Sequence, residues 1–425
     1  SNSKLLIITA DRPEILRKTG ANQTTDQVGI YKLIKTHDLV SEIELKPLFN
    51  GKPIHLNIQF SEPLISEEKN DWLVDLKNEP INYKNNINGK LETSTGVLII
   101  GHDNAGYTVG EINSFISKLK WPVIAENPIS FPQALPHAVL YLSDPKIRQV
   151  LAPENIIVIG RTTLSRSTNE FIKLAKNLTV IDPRIADVDN NRQADLLVKS
   201  LPIDVVSEST SIDIWQKSSD LAAIEIKKLV WSEQAAIKCI CESLTSMSAL
   251  FVGSSRPVRD IEAFTKFQTG VFVFANRGLA GIDGNISTVF GIAKKYQVTN
   301  AIMGDLTFLH DISALTNSSK ENLRIFVIDN NGGGIFSTLP QAGSTGFEQV
   351  FGTPHNLDLV KVISGFGVSV SRVSELAGLE LITKKPIKGF EVVVVQVPSR
   401  EVNAQMLKEI TQRVSSAVRI GINLA

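Results

Sequence analysis

Residues 304 to 341, GDLTFLHDISALTNSSKENLRIFVIDNNGGGIFSTLPQ, constrain this chain more than any other stretch. The apolar runs Ala301-Ile302-Met303 and Ile325-Phe326-Val327-Ile328 read as buried strands, and the polar segment from Thr316 to Asn322 ends a helix between them. Parallel strands joined by a right-handed crossover finish side by side. Asp305, Asn330 and the Gly332 carbonyl therefore converge. Magnesium takes hard oxygen ligands in an octahedron and completes its shell with phosphate oxygens and water, so one carboxylate, one amide oxygen and one carbonyl suffice from a protein. Gly332, Gly333 and Gly334 let backbone come close to a ligand. The pattern predicts a magnesium-diphosphate site. Without a ligand, the same residues make a plain strand-helix-strand unit with a glycine-rich turn.

Charge and cysteine content narrow the partner. Lys plus Arg and Asp plus Glu number 44 each, so there is no global basic field for nucleic acid and no acidic excess. A small molecule is the expected partner. Cys239 and Cys241 are the only cysteines, too few for a disulfide framework, and their spacing inside a helical pattern predicts packed thiols in a reducing cytoplasm. No apolar run approaches the roughly 20 residues of a membrane span, and Ser1-Asn2-Ser3-Lys4 does not begin a signal peptide. Strand character starts at Leu5, as if the chain began inside a domain.

Strand and helix patterns alternate throughout, which predicts an α/β protein of parallel sheets flanked by helices, with one partial and two complete domains. Residues 1–66 hold strands at Leu5 to Ala10 and Ile54 to Phe60 around an amphipathic helix near Thr25 to Thr36. The polar segment 67–95 reads as a surface linker. Residues 96–206 carry strands near Val97, Val123, Ile156 and Leu178. From 207 to 425 a long helix pattern (Ser211 to Ser246) precedes strands at Leu250, Val271, Ala301, Ile325 and Val392, and a helix from about Glu401 to Val418 closes the chain.

The Gly-Asp pair followed one crossover later by Asn-Asn is similar to the cofactor motif of thiamine diphosphate enzymes. Leu306 follows the Asp where Gly is commoner, and this variant resembles one branch, the synthases that make 2-succinyl-5-enolpyruvyl-6-hydroxy-3-cyclohexene-1-carboxylate for menaquinone and phylloquinone. ADRPEILRKTGANQTTDQVGIY at 10–31, PIHLNIQFSEPL at 53–64, FVGSSRPVRDIEAF at 251–264 and NRGLAGIDGNIST at 276–288 resemble the same family in the same order. The resemblance implies the tail of a pyrimidine-binding domain at 1–66, a central domain, and a diphosphate-binding domain at 207–425. It implies decarboxylation of 2-oxoglutarate and transfer of the succinyl unit to isochorismate.

Residue roles follow from the same resemblance. Magnesium or manganese falls to Asp305, Asn330 and Gly332, with Gly304, Leu306 and Thr307 supplying backbone near the diphosphate, and Ser255 matches another cofactor contact. Ile282 matches the apolar support that holds the cofactor bent, and Ile335 and Phe336 match walls of that pocket. Arg259 and Arg277 match positions for substrate carboxylates, which planar guanidinium forks suit. Asn22, Gln23, Arg166 and Arg12 match looser substrate positions. The site is expected between subunits of a homodimer or homotetramer. The family's activating Glu and its Ser-Arg substrate motif precede the ADRP segment, and no residue here matches them. Two alternatives follow: another thiamine diphosphate decarboxylase or carboligase, or a cofactor-binding chain without turnover.

Overall fold

The alternating signals become parallel sheets in the computed structural model, which describes residues 5–17, 19, 21, 24–40, 52–61, 89–161, 165–183, 194–278, 280–317 and 320–424. Residues 1–84 and 85–425 form two compact units. In the first, β1 (Leu6–Asp11), β2 (Lys35–Leu39) and β3 (Ile54–Gln59) make a parallel sheet in the order β1-β3-β2.

The helix expected near Thr25 to Thr36 is absent. Turns occupy this stretch, with Ile30 N donating to Gln27 O at 3.2 Å and Ile34 N to Tyr31 O at 2.8 Å. Gly29 sits at φ +76°, a left-handed conformation that interrupts a right-handed helix. Lys35 to Leu39 then pair with β3, so sheet formation overrides the helical spacing of the apolar residues.

The second unit opens with β4 (Lys90–Thr93), so the end of the expected linker is a strand; it pairs with β10 (Asp204–Ser207) in a two-stranded ribbon. Between them run β5 (Gly96–Ile100), α1 (Val109–Leu119), β6 (Val123–Ala125), α2 (Ala138–Tyr141), α3 (Pro145–Val150), β7 (Asn155–Ile159), α4 (Arg166–Ile172), β8 (Asn177–Ile181) and β9 (Leu196–Val198). The five strands β6-β5-β7-β8-β9 are parallel. Successive side chains of β5 face opposite cores: Leu98 and Ile100 meet Ile112 and Phe115 of α1, while Val97 and Ile99 belong to the core with Phe171.

The pattern from Ser211 to Ser246 resolves into two helices, α5 (Asp213–Ile226) and α6 (Glu233–Glu242), because Ser232 caps a new start by accepting from Ala235 N at 3.2 Å. There follow β11 (Ala249–Val252), α7 (Arg256–Phe264), β12 (Phe272–Phe274), α8 (Asn285–Ala293), β13 (Thr299–Gly304), α9 (Asp305–His310), β14 (Leu323–Asp329), α10 (Leu359–Ser364), β15 (Ser369–Val373), α11 (Leu376–Thr383), β16 (Phe390–Gln396) and α12 (Arg400–Gly421). The six-stranded sheet runs β12-β11-β13-β14-β16-β15, all parallel. Phe326 and Ile328 face the core that holds Ile237, Ile261 and Leu379, and Ile325 and Val327 face the one that holds Val289, Phe308 and Ile363. Both faces are thus covered, as the continuous apolar strands require.

The boundary expected near residue 206 is not a gap in packing. Val97, Val158 and Phe171 share one core with Trp215, Phe264, Val414 and Val418. Cys239 and Cys241 are free, and burial pushes the Cys239 thiol up to about 11, so neither is a ready nucleophile. Among the described residues no helix is long and apolar enough to cross a membrane.

His137 ties the two sheets together, donating from Nδ1 to Ala263 O at the end of α7 at 2.8 Å. Burial pulls its pKa from 6.5 down to about 4. In the unfolded chain it takes up a proton below 6.5, whereas in the fold it stays neutral until about 4. Stability is therefore intact above 6.5 and falls as the pH drops to about 4, by up to ~3 kcal/mol at about 1.4 kcal/mol per unit. Urea unfolding at pH 7 and pH 5 checks this. His137→Asn, which keeps a donor and tolerates the left-handed φ of 67°, should lose this part of the slope. An unchanged slope would place the titration elsewhere.

Candidate active site

Four neighbouring strands of the large sheet, in the order β12-β11-β13-β14, end along one rim. Loops leaving the carboxyl ends of parallel strands form the usual ligand crevice of such sheets. A cavity of about 360 Å³ lies there, large enough for a small organic ligand. Asp305, Asn330 and Gly332 line it together with Gly304, Leu306 and Thr307. So do Ser255, Ile282, Ile335 and Phe336, and so do Arg259 and Arg277.

The register of β13 and β14 does the gathering. Gly304 pairs with Ile328, so Asp305, which begins α9, and Asn330, which follows β14, leave the sheet at the same edge. Asp305 is buried; its Oδ1 accepts from Leu306 N at 2.6 Å and its Oδ2 from Gly332 N at 2.8 Å. The Gly332 carbonyl accepts from Gly334 N at 2.9 Å, which leaves it a second lone pair. Gly332 has φ +135°, and a Cβ there would strike Gly352 O; a Cβ on Gly333 would strike Phe351 O. Only glycine fits this turn.

Asn330 is 8% exposed, and its Oδ1 has no hydrogen-bond partner among the described residues. A buried acceptor without a donor is costly. A hard cation is the ligand that such an oxygen beside a carboxylate suits. Its Nδ2 donates to Glu233 Oε1 in a short contact. Burial, with the Asp260 carboxylate close by, pushes Glu233 up to about 7.

Two further acid-base groups, His355 and Asp329, border this edge. His355 Nδ1 accepts from Leu357 N at 3.0 Å, so Nε2 carries the proton and faces Asp305 Oδ2 at 3.3 Å and Asp329 Oδ1 at 3.5 Å. Ligand atoms of these three residues lie within 4.8 Å of one another, a spacing that can hold a metal. With Nε2 protonated, however, His355 donates to the carboxylates, and its hydrogen bond to Asp305 raises its pKa. Burial, with Asp305 next, pushes Asp329 up.

Also lining the cavity, Arg277 donates from Nη2 to Glu126 Oε1 at 2.6 Å, while its Nε and Nη1 are buried without partners among the described residues. Arg259 donates from Nη1 to Ser255 O at 2.6 Å; burial, then the Arg256 and Arg277 cations, pull its pKa down. Ser255 precedes α7 but its hydroxyl does not cap that helix, and its φ of 73° is unusual for a residue with a side chain. Ile282 is half-buried between Gly281 and Gly284. The donor set, the orphaned Asn330 oxygen, the glycine turn and the free guanidinium donors fit a magnesium-bound diphosphate and an anionic substrate.

Arg166 is not brought to this cavity. Arg166 starts α4 and lines a separate cleft of about 1350 Å³ formed with the 337–349 segment and α12. Arg12 follows β1 in the first unit, and Asn22 and Gln23 lie outside the described residues. His310 is exposed, and Asp311 accepts from Ser287 N at 2.8 Å, which secures the start of α8.

Residues 261–397 match the C-terminal thiamine pyrophosphate-binding domain of thiamine pyrophosphate enzymes. A 2-succinyl-5-enolpyruvyl-6-hydroxy-3-cyclohexene-1-carboxylate synthase of Nocardioides sp. is 31% identical over 424 residues, 92% of this chain and 76% of that protein. Its namesake from Lysinibacillus sphaericus is 28% identical over 484 residues, 98% of this chain and 82% of the relative. The solved benzoylformate decarboxylase of Polynucleobacter necessarius superposes with a TM-score of 0.58 at 16% identity, covering 94% of this chain and 83% of that one, a likeness of fold.

The glycine turn gives a direct test. Gly332→Ala adds a Cβ in a left-handed region against the Gly352 carbonyl, which displaces the N–H that holds Asp305. Calorimetric titration with thiamine diphosphate and magnesium should show affinity reduced at least about tenfold, the cost of roughly 1.4 kcal/mol of misplacement. Unchanged affinity would mean that the turn does not shape the cofactor site.

Proposed function

The chain belongs to the family of 2-succinyl-5-enolpyruvyl-6-hydroxy-3-cyclohexene-1-carboxylate synthases, enzymes that depend on thiamine diphosphate, and on that premise we propose that it decarboxylates 2-oxoglutarate and adds the succinyl unit to isochorismate. The product is 2-succinyl-5-enolpyruvyl-6-hydroxy-3-cyclohexene-1-carboxylate with release of CO2, a step toward menaquinone or phylloquinone. One observation carries the reading: a held carboxylate, an orphaned amide oxygen, two guanidinium groups and apolar side chains line a single cavity.

Bound thiamine diphosphate supplies the electron sink that decarboxylation of a 2-oxo acid needs. Asp305, Asn330 Oδ1 and the Gly332 carbonyl hold the magnesium that carries the diphosphate, with manganese as an equivalent. Gly304, Leu306 and Thr307 bring backbone alongside it, and Ser255 offers a hydroxyl that no helix cap consumes. Ile282 supports the fold of the cofactor; its β-branched side chain is stiff at χ1, which suits a wedge. Ile335 and Phe336 wall the same space and keep water out.

The guanidinium groups take the substrate. Arg277 already spends one donor on Glu126, which fixes its plane and leaves Nε and Nη1 for a carboxylate. Arg259, held through Ser255 O, offers a second fork nearby. Arg12, Asn22, Gln23 and Arg166 remain proposed substrate contacts, and the working assembly is a homodimer or homotetramer.

A steady-state assay tests the whole reading. Consumption of 2-oxoglutarate that requires isochorismate supports it; turnover of pyruvate instead overturns it. Asp305→Ala should abolish magnesium-dependent cofactor binding. Arg277→Lys keeps the charge opposite Glu126 but loses the fork, so kcat/KM should fall roughly 10- to 100-fold, matching ~1.5–3 kcal/mol for hydrogen bonds to a charged group, while cofactor affinity holds. Collapse of cofactor affinity in Arg277→Lys would remove Arg277 from substrate binding.

A further inference from the structure

We propose that Glu233 is a positioning residue for the cation site: its carboxylate fixes the Asn330 side chain so that the amide oxygen, not the amide nitrogen, faces the metal. The inference rests on Asp305, Asn330 and Gly332 being the cation ligands, and adds a residue from outside the diphosphate motif.

A primary amide has two faces of similar shape and opposite chemistry. Turned by 180°, Asn330 would present an N–H donor to the cation and an acceptor to its neighbour. Something must choose between the two. Glu233 is 3% exposed and lines the cavity, and its Oε1 accepts from Asn330 Nδ2 across 97 residues of sequence. A carboxyl oxygen that carries no proton only accepts, so Oε1, the acceptor in this contact, rejects the flipped amide, which would set oxygen against oxygen in a buried place. The orphaned Oδ1 is the other end of the same constraint.

Glu233 is itself fixed. It is the first residue of α6, its own N–H donates to Asn403 Oδ1 at 2.9 Å, and Ser232 caps the helix from the preceding position. Gly334 closes the remaining side: a Cβ there would run into Asn330 Nδ2. The amide thus sits between a carboxylate that selects its orientation and a glycine that gives it room. Partners of metal ligands of this kind orient the ligand atom and tune its affinity.

Manganese(II) titrated into the full chain with thiamine diphosphate present, with free ion read by electron paramagnetic resonance, tests this without reference to turnover. Glu233→Leu should weaken manganese binding roughly 10- to 100-fold, the usual cost of losing such a partner. Glu233→Gln carries a donor as well as an acceptor, so it no longer excludes the flipped amide and should bind manganese more weakly than wild type, though better than Glu233→Leu. Asn330→Asp alone sets two carboxylates together and should bind weakly. Adding Glu233→Gln to it supplies an N–H donor and should restore binding, a rescue that a general packing role would not produce and that can be read even if Glu233→Leu does not fold. Wild-type affinity in Glu233→Leu, or no recovery in the double variant, overturns the inference. Asp305→Ala separates the two levels. If it binds manganese as wild type does, the metal-site reading falls; if it loses binding while Glu233→Leu does not, only the role of Glu233 falls.

Discussion

The parallel pairing of β13 with β14 is the constraint from which the site follows. Six consecutive residue pairs, Thr299 with Leu323 through Gly304 with Ile328, bring the two strands to the same edge. A shift of one residue would turn Ile325 and Val327 toward the opposite core and carry Asn330 away from Asp305. The register is held because both faces are buried: Phe326 and Ile328 have one set of partners and Ile325 and Val327 another. β11 and β12 extend the same rim, so the loops that carry Ser255, Arg259 and Arg277 open beside Asp305.

Charge placement is the second layer. Glu233, Asp260 and Glu126 are almost wholly buried, as is the side chain of Arg277. Burying charges is expensive unless they are paired. Arg256 pairs with Asp260, and Arg277 with Glu126. The pairing is incomplete, since Asp260 Oδ2, Asn330 Oδ1 and two nitrogens of Arg277 have no partner among the described residues. The latter two groups line one cavity. Groups fixed in a water-poor pocket act more strongly on a charged ligand than the same groups in solvent, and need no reorganisation when it arrives.

The sequence made much of this legible. Long apolar strands and the residues at their ends were readable because a buried parallel strand leaves an uninterrupted run, and Asp305 and Asn330 each sit two positions beyond such a run. Five strands were not readable. Lys90–Thr93 and Asp204–Ser207 are short and polar, and each exists only through pairing with the other. Lys35–Leu39 was hidden under a helical spacing that Gly29 breaks. Leu196–Val198 and Ser369–Val373 are edge strands whose residues are partly exposed. Glu233 escaped notice for a different reason. A Ser-Glu pair at a helix start already has a local explanation, a cap followed by an acid near the positive end of the helix dipole, and its partner is far away in sequence. Glu126 is the same case, since a distant pairing leaves no local pattern.

Ser255 shows how the site is maintained against local cost. A residue with a side chain held at φ 73° and ψ −125° carries of order 1–3 kcal/mol of strain, which persists only where the surroundings over-determine it. Here they do. Its carbonyl is clamped by Arg259 Nη1 from one turn along α7, and Pro257 sets the backbone of that first turn, so the strain is locked in by the helix it introduces. A relaxed serine at this position would be free to cap α7 with its hydroxyl, as Ser232 caps α6. The left-handed backbone leaves that hydroxyl uncommitted beside the cavity instead, and the same clamp fixes the direction of Arg259. One hydrogen bond therefore serves both the proposed cofactor contact and the proposed substrate contact, so neither can be changed without disturbing the other.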